Sequence, residues 1–295
     1  DLHGSHISRR EDVRAPISCG GVDCQRAHRK QHKKACKLRA AELKDEELYS
    51  QGLERPEGDF CPICTLPIAL PVGNHSVFNS CCTKRVCYGC LVTQIKKGLR
   101  DCPFCRAPTP TDDADAPDEF MARVRARAER KDPAAINNLG EDYLHGRFGL
   151  TKDVPRAVEL WTEAAELGSI QALFNLGNAY YHEGGIRYDQ ELAAEFYRKA
   201  AMRGHVQSRH NLGCFEGQNG DHGRALRHYM ISARLGYGHS IESIGGMFRA
   251  GEATKEQYAE ALRGYRDAVE ETKSHERDAG MAFMKRVGPQ RGQFG

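Results

Sequence analysis

One pattern recurs in phase four times through the second half of this 295-residue chain, and it constrains the fold more than any other feature. Leu139-Gly140, Leu176-Gly177, Leu212-Gly213 and Ile244-Gly245 follow one another at intervals of 37, 36 and 32 residues. Each is trailed by an alanine: Ala157, Ala193, Ala225 and Ala261. Four residues later comes an aromatic, Trp161, Tyr197, Tyr229 or Tyr265, and three further on a small residue, Ala164, Ala200, Ser232 or Ala268. Gly168, Gly204 and Gly236 close the first three units, and Thr272 stands at that place in the fourth. A period in the thirties marks a repeat architecture. Steps of three and four place Ala157, Trp161 and Ala164 on one helical face. Pro155 suits a first helical turn and Gly168 a left-handed C-cap. Residues 136–143 read as a shorter preceding helix and 146–153 as the connection. Each unit is therefore two antiparallel helices that bury their apolar faces on the next pair. In that setting Trp161 and the repeated tyrosines are core packing, not a cofactor box, and Cys214 is a small buried apolar group.

This pattern resembles the Sel-like subclass of tetratricopeptide-type repeats, most closely at 139–168 and 176–204. The resemblance implies a curved α-solenoid over residues 132–272. It also implies that the solenoid binds protein segments and has no catalysis of its own. Residues 273–295 are then a cap and tail.

The first half is dominated by cysteine. The chain has twelve, and eleven precede residue 106. Residues 60–110 hold eight in four pairs: Cys61-x-x-Cys64, Cys81-Cys82, Cys87-x-x-Cys90 and Cys102-x-x-Cys105. Paired cysteines with histidines nearby and no signal peptide point to zinc in a reducing, intracellular compartment, cytoplasmic or nuclear, rather than to disulfides. Eight thiolates make two tetrahedral Zn²⁺ sites. A segment of ~50 residues cannot bury a sufficient core, so metal must supply folding free energy.

The segment resembles a RING finger, a small α+β module, and that resemblance implies an interleaved assignment. Cys61, Cys64, Cys87 and Cys90 hold one zinc, and Cys81, Cys82, Cys102 and Cys105 the other. Lys84 stands where most RING fingers have a histidine ligand, and Cys81 restores the count of eight; His75 is a reserve ligand. RING fingers often act as ubiquitin ligases that hold a charged ubiquitin-conjugating enzyme. Ile63, Leu91, Val92 and Pro103 match the family's apolar contact positions for that enzyme. Arg106 matches an arginine that holds the thioester-linked ubiquitin in a reactive pose. Against this stands the plainer reading that Ile63 and Leu91 pack the small core and Arg106 is a solvated charge.

The N-terminal segment is basic, with ten Lys/Arg against four Asp/Glu over residues 1–40 in a chain of net charge +3. His28, His32 and Cys36 recur every four residues within a helical stretch, 24–49. Cys24, His32 and Cys36, with Cys19 upstream, resemble the C-terminal half of a MYND zinc finger. Three readings stay open: the upstream half was lost from this chain, the four residues form one Cys₃His site for a further zinc, or the segment is a metal-free helix. No aromatic platform accompanies the basic residues, which argues against nucleic acid as a partner.

The expected organisation is thus multidomain: a partial MYND-like segment (1–49), a linker (50–59), the RING-like two-zinc module (60–110), an acidic hinge and a linker helix capped by Asp118 (111–131), the all-α solenoid (132–272) and its tail (273–295). No run approaches the ~20 apolar residues of a membrane helix. The leading expectation is a ubiquitin ligase that binds a conjugating enzyme through the zinc module and a protein substrate on the repeat surface. The rivals are a zinc-binding adaptor without ligase activity, and a chromatin- or RNA-associated scaffold using the basic N-terminus.

Overall fold

The computed structural model describes residues 32–108, 116–182 and 187–287. Among these are twelve α-helices and one two-stranded sheet, in two compact units, Asp1–Glu47 and Leu48–Gly295. Helix α1 (His32–Ser50) carries the boundary. Its part in the first unit is strongly charged. Arg39 pairs with Glu42 and Glu46 at 3.1 Å, but both pairs are exposed and contribute little to stability.

In the second unit, strands β1 (Ser76–Phe78) and β2 (Arg85–Cys87) pair antiparallel, with Val77 opposite Val86. Helix α2 (Tyr88–Lys96) follows directly, and α3 (Ala116–Glu129) leads to the repeats. These are the pairs α4/α5 (Pro133–His145, Val154–Glu166), α6/α7 (Ile170–Tyr181, Gln190–Ala201), α8/α9 (Val206–Gln218, His222–Arg234) and α10/α11 (Gly238–Ala250, Lys255–Glu271). The capping chemistry is regular. Asp132, Asp153, Ser169, Asp189, His205 and Asp221 each accept a backbone N–H from the first turn of the helix they precede. Gly168, Gly204 and Gly236 have φ of 97, 87 and 94°, the left-handed geometry that ends the second helix of a pair.

The recurring glycine and aromatic meet in space. A Cβ on Gly140 would lie 2.5 Å from the Trp161 indole, and one on Gly213 2.6 Å from the Tyr229 ring; Gly177 stands in the same relation to Tyr197. The glycine gives the aromatic ring a flat bed, and the two helices of a pair close over it. Around these pairs the core is apolar: Ile136, Ala157, Trp161, Ala164 and Leu176 in the first unit, and Ala193, Tyr197, Leu212 and Phe215 in the next. The fourth unit departs from the pattern. A Cβ on Gly245 would lie 3.5 Å from the Tyr258 hydroxyl, an ordinary contact, and Tyr265 lies by Gly238 instead.

Three expectations are corrected. The stretch 50–59, expected to be a linker, is docked on the repeats. Arg209, fully buried, donates to Leu48 O (2.8 Å), Gln51 O (2.6 Å) and Ala201 O (2.9 Å), and Gly204 is pressed against Glu54 O. The stretch 273–295, expected to cap the solenoid, contains helix α12 (His275–Val287), which packs on α2 of the cysteine module. The crossing is close because both helices present glycine: a Cβ on Gly280 would lie 2.7 Å from Gly89 N, and one on Gly89 2.8 Å from Arg277 N. Lastly, α3 begins at Ala116, so Asp118 sits inside the first turn instead of capping it. The expected hinge residues 111–115 and tail residues 288–295 lie outside the described residues.

Candidate metal centre

Two short segments of the module share the pattern Cys-Pro-x-Cys-x-x-Pro, Cys61-Pro-Ile-Cys64-Thr-Leu-Pro67 and Cys102-Pro-Phe-Cys105-Arg-Ala-Pro108. They fold alike. Thr65 N–H donates to Cys61 O at 2.8 Å and Arg106 N–H to Cys102 O at 2.9 Å. Cys61 N–H then donates to Leu66 O at 3.1 Å and Cys102 N–H to Ala107 O at 2.7 Å. Phe60 bridges Pro67, and Asp101 bridges Pro108. In each knuckle the residue after the second cysteine is left-handed, Thr65 at φ 58° and Arg106 at φ 60°. That local turn is what lets a two-residue gap aim both sulfurs at one point.

The other two pairs come from the hairpin. Asn79 O accepts from Cys82 N–H and Thr83 N–H at 3.2 and 2.7 Å, curling the Cys81-Cys82 loop between the strands. Cys87 ends β2, and Cys90 lies in the first turn of α2. The result is two clusters in which all four sulfurs lie within 4.8 Å of one another: Cys61, Cys64, Cys87 and Cys90; and Cys81, Cys82, Cys102 and Cys105. The pairs interleave, first with third and second with fourth. Cys81 and Cys82, although adjacent, both point into the second cluster. His75 is in neither.

The spacing fits a tetrahedral ion. Arms of ~2.3 Å give a tetrahedron edge of about 3.8 Å. The Sγ atoms of Cys64 and Cys87 are 3.8 Å apart, those of Cys82 and Cys102 3.8 Å, and those of Cys81 and Cys105 3.4 Å. Four thiols this close cannot all ionise unaided. Hydrogen bonds from Cys87 and Cys90 hold the Cys61 thiol far below its usual value, while those to Cys61 and Cys87 push Cys90 far above. In the second cluster burial pushes the Cys82 thiol up to about 11. A dication at the centre of each set is what would make four thiolates compatible.

Both clusters are braced from the helical part of the unit. Arg127 of α3 donates to Cys81 O through Nε at 2.9 Å, and to Asp132 at 3.1 Å; Asp132 in turn accepts from the Thr83 hydroxyl at 2.9 Å. Phe78 packs with Val124 and Ala135, edge-on to Phe120. At the other cluster, Arg277 of α12 donates through Nη2 to Cys64 Sγ at 3.3 Å and to Leu66 O at 2.9 Å; Nη1 donates to Thr272 O at 2.9 Å and to Pro67 O. None of these arginines is marked by the cysteine spacing.

The positions expected to touch a conjugating enzyme fall out unevenly. Ile63 is 43 % exposed, Arg106 is exposed, and Pro103 and Leu91 are half-buried, Leu91 against the core that includes Cys61 and Val86. Val92 is corrected: at 2 % exposure it faces the interior and has no surface to offer. The phase of α2 instead brings out Ile95 (42 %), beyond which Leu99 (57 %) is also exposed, and the second knuckle exposes Phe104 (45 %), the counterpart of Ile63. The Gln94 side chain donates to Asp101 O, tying α2 to that knuckle. The shared Cys-Pro-x-Cys-x-x-Pro pattern of the two knuckles was the available signal for Phe104. Of the N-terminal set, Cys19 and Cys24 lie outside the described residues; Cys36 is half-buried on α1, and His32 begins that helix.

The family model for the Sel1 repeat matches residues 133–169, 170–205 and 206–237, so the chain carries three such repeats, and the match ends where the fourth helix pair departs from the glycine–aromatic geometry. Two curated relatives are both from Arabidopsis thaliana. The ERAD-associated E3 ubiquitin-protein ligase component HRD3B is 36% identical over 76 residues, covering 26% of this chain and 12% of that protein. Component HRD3A is 34% identical over 88 residues, 30% of this chain and 12% of that protein. The chain thus spans about an eighth of the length of these relatives. Among solved structures, a Sel1 repeat protein from Oxalobacter formigenes superposes with TM-score 0.48 at 23% identity, over 62% of this chain and 71% of that one. The protective antigen c5321 of uropathogenic Escherichia coli gives 0.45 at 20%, over 69% and 48%. No described helix is long and apolar enough to cross a membrane.

Proposed function

We propose that this chain is a RING-type ubiquitin ligase whose repeats recruit the protein to be modified. Two zinc ions would be structural, one on Cys61, Cys64, Cys87 and Cys90, the other on Cys81, Cys82, Cys102 and Cys105. The observation that carries the reading is the interleaving of those eight cysteines in a module that keeps Ile63, Phe104 and Arg106 exposed on matched knuckles. A buried core has no reason to leave such side chains in water, whereas a docking face for a conjugating enzyme does. The chain's own residues do no covalent chemistry in this scheme. A substrate lysine attacks the thioester carbonyl held on the conjugating enzyme, the isopeptide bond forms, and that enzyme's thiol leaves. Arg106 would restrain the ubiquitin end of the thioester, and the acceleration would come from proximity and orientation.

The repeats supply the second half of the reading. Similarity to two proteins named as ligase components, together with the Sel1 repeats, supports substrate recruitment for the solenoid. The test is discharge of ubiquitin from a panel of charged conjugating enzymes, with Ile63→Ala and Arg106→Ala variants that still hold two zincs. Wild-type stimulation that both variants lose is the expected result. No stimulation by zinc-loaded, folded protein with any enzyme of the panel would leave an adaptor that assembles partners through the repeats alone.

A further inference from the structure

The first cysteine cluster is not completed by its own module. Arg277 arrives from α12, more than 200 residues along the chain from Cys64, and is buried there. Its guanidinium has three acceptors in the first knuckle (Cys64 Sγ, Leu66 O and Pro67 O) and a fourth, Thr272 O, just before its own helix. The approach is made possible by the Gly89–Gly280 crossing, where any side chain would hold the helices apart. The second cluster has no such donor to sulfur among its braces: Arg127 binds the Cys81 carbonyl, not a thiolate.

We infer that Arg277 is an outer-sphere positioning residue of the first metal site, and that helix α12 governs how firmly that site, and not the second, keeps its zinc. This rests on the two-zinc reading above. The physical reason is charge. A zinc bound by four thiolates carries a net charge of −2, and its least buried sulfurs are the ones most open to protonation and exchange. A guanidinium N–H on Cys64 Sγ draws off part of that charge and fixes the sulfur's direction. It also keeps the Leu66–Pro67 backbone of the knuckle from opening. Groups in this outer position commonly change metal affinity by roughly 10–100-fold. Helix α12 performs this role without covering the proposed docking side chains, since Ile63, Ile95 and Phe104 all remain exposed.

The experiment follows zinc release from the full chain into a chromogenic chelator, for wild type, Arg277→Gln and Arg277→Lys, with helical content monitored in parallel. The expected result is two zincs per chain in each protein. In Arg277→Gln one of them should leave at least about tenfold faster while the other keeps its wild-type rate, and Arg277→Lys should fall between. Cobalt substitution gives a readout that loss of packing would not move. Removing a hydrogen bond from a thiolate raises its donor level, so the sulfur-to-cobalt charge-transfer band of one site should shift to longer wavelength in Arg277→Gln. Release of both zincs at wild-type rates, or equal acceleration of both, would overturn the inference while leaving the two-zinc reading intact. A wild-type chain that takes up fewer than two zincs would instead remove the reading beneath it.

Discussion

The cysteine module and the repeats solve the same problem, a small unit with too little core, by opposite means. The module gathers eight sulfurs into two clusters and leaves Ile63, Leu99 and Phe104 in water. Each of the first three repeats sets an aromatic ring on a glycine and passes its apolar face to the next repeat. On the two-zinc reading, one depends on an ion the chain does not contain; the other depends on having neighbours. The difference teaches that a segment of ~50 residues can stop short of a sufficient hydrophobic core if its side chains converge on an ion, but must then keep every convergent group.

The largest expected effect separates the two directly. Stripping metal with a strong chelator should unfold residues 60–108, because structural zinc contributes on the order of 10 kcal/mol or more. The repeat helices should persist. Circular dichroism at 222 nm should fall only modestly while tyrosine and phenylalanine packing signals of the module vanish; a complete loss of helix would break the contrast. Next comes the mirror experiment. Trp161→Ala should cost the repeats about 3–5 kcal/mol in urea unfolding without changing zinc content.

Acid sharpens the comparison through one residue. His205 caps α8: its Nδ1 accepts from Ser208 N–H at 3.2 Å, so that nitrogen carries no proton, and burial pushes its pKa down to about 4. A group whose folded pKa lies below its unfolded value of ~6.5 leaves stability complete above that value. The contribution drains away as pH falls toward 4, by on the order of 3 kcal/mol. His205→Asn, whose amide oxygen can cap at any pH, should flatten this part of the acid profile of unfolding. The smallest effect concerns the glycines. Gly140→Ala should destabilise by about 1–3 kcal/mol through overpacking against Trp161. Gly245→Ala, in ordinary contact with Tyr258, should be neutral or stabilise by up to about 1 kcal/mol, since alanine favours helix. Equal effects at the two positions would mean that the ring-on-glycine contact does not hold the pair together.

What could be read from the sequence follows from these two strategies. Local spacing announced the helix pairs, the left-handed Gly168, Gly204 and Gly236, and the four cysteine pairs, because each is written within a few dozen residues. The convergence of Cys81 and Cys82 on one cluster agrees with the pairing that the family resemblance implied. The sequence was silent where contacts are distant. Arg209, Arg127 and Arg277 look like ordinary charges on polar helices, and nothing nearby in the chain marks the carbonyls and sulfur they serve. Val92 failed for a subtler reason. A helix of nine residues offers too few turns to set its phase from sequence, and here Val92 turns fully inward between the half-buried Leu91 and Thr93.

The meeting of α2 with α12 also sets a timetable. Cys90 is the last ligand of its cluster to be synthesised, yet Arg277 follows about 190 residues later. At ~5–20 residues per second of synthesis, the first cluster waits roughly 10–40 s for its arginine and for the helix that closes over α2. A nascent chain therefore passes through a stage in which all four sulfurs are present and the knuckle is still open on one side. The proposed zinc would be captured in that interval and locked only when α12 arrives, so an early site is closed by a helix made much later.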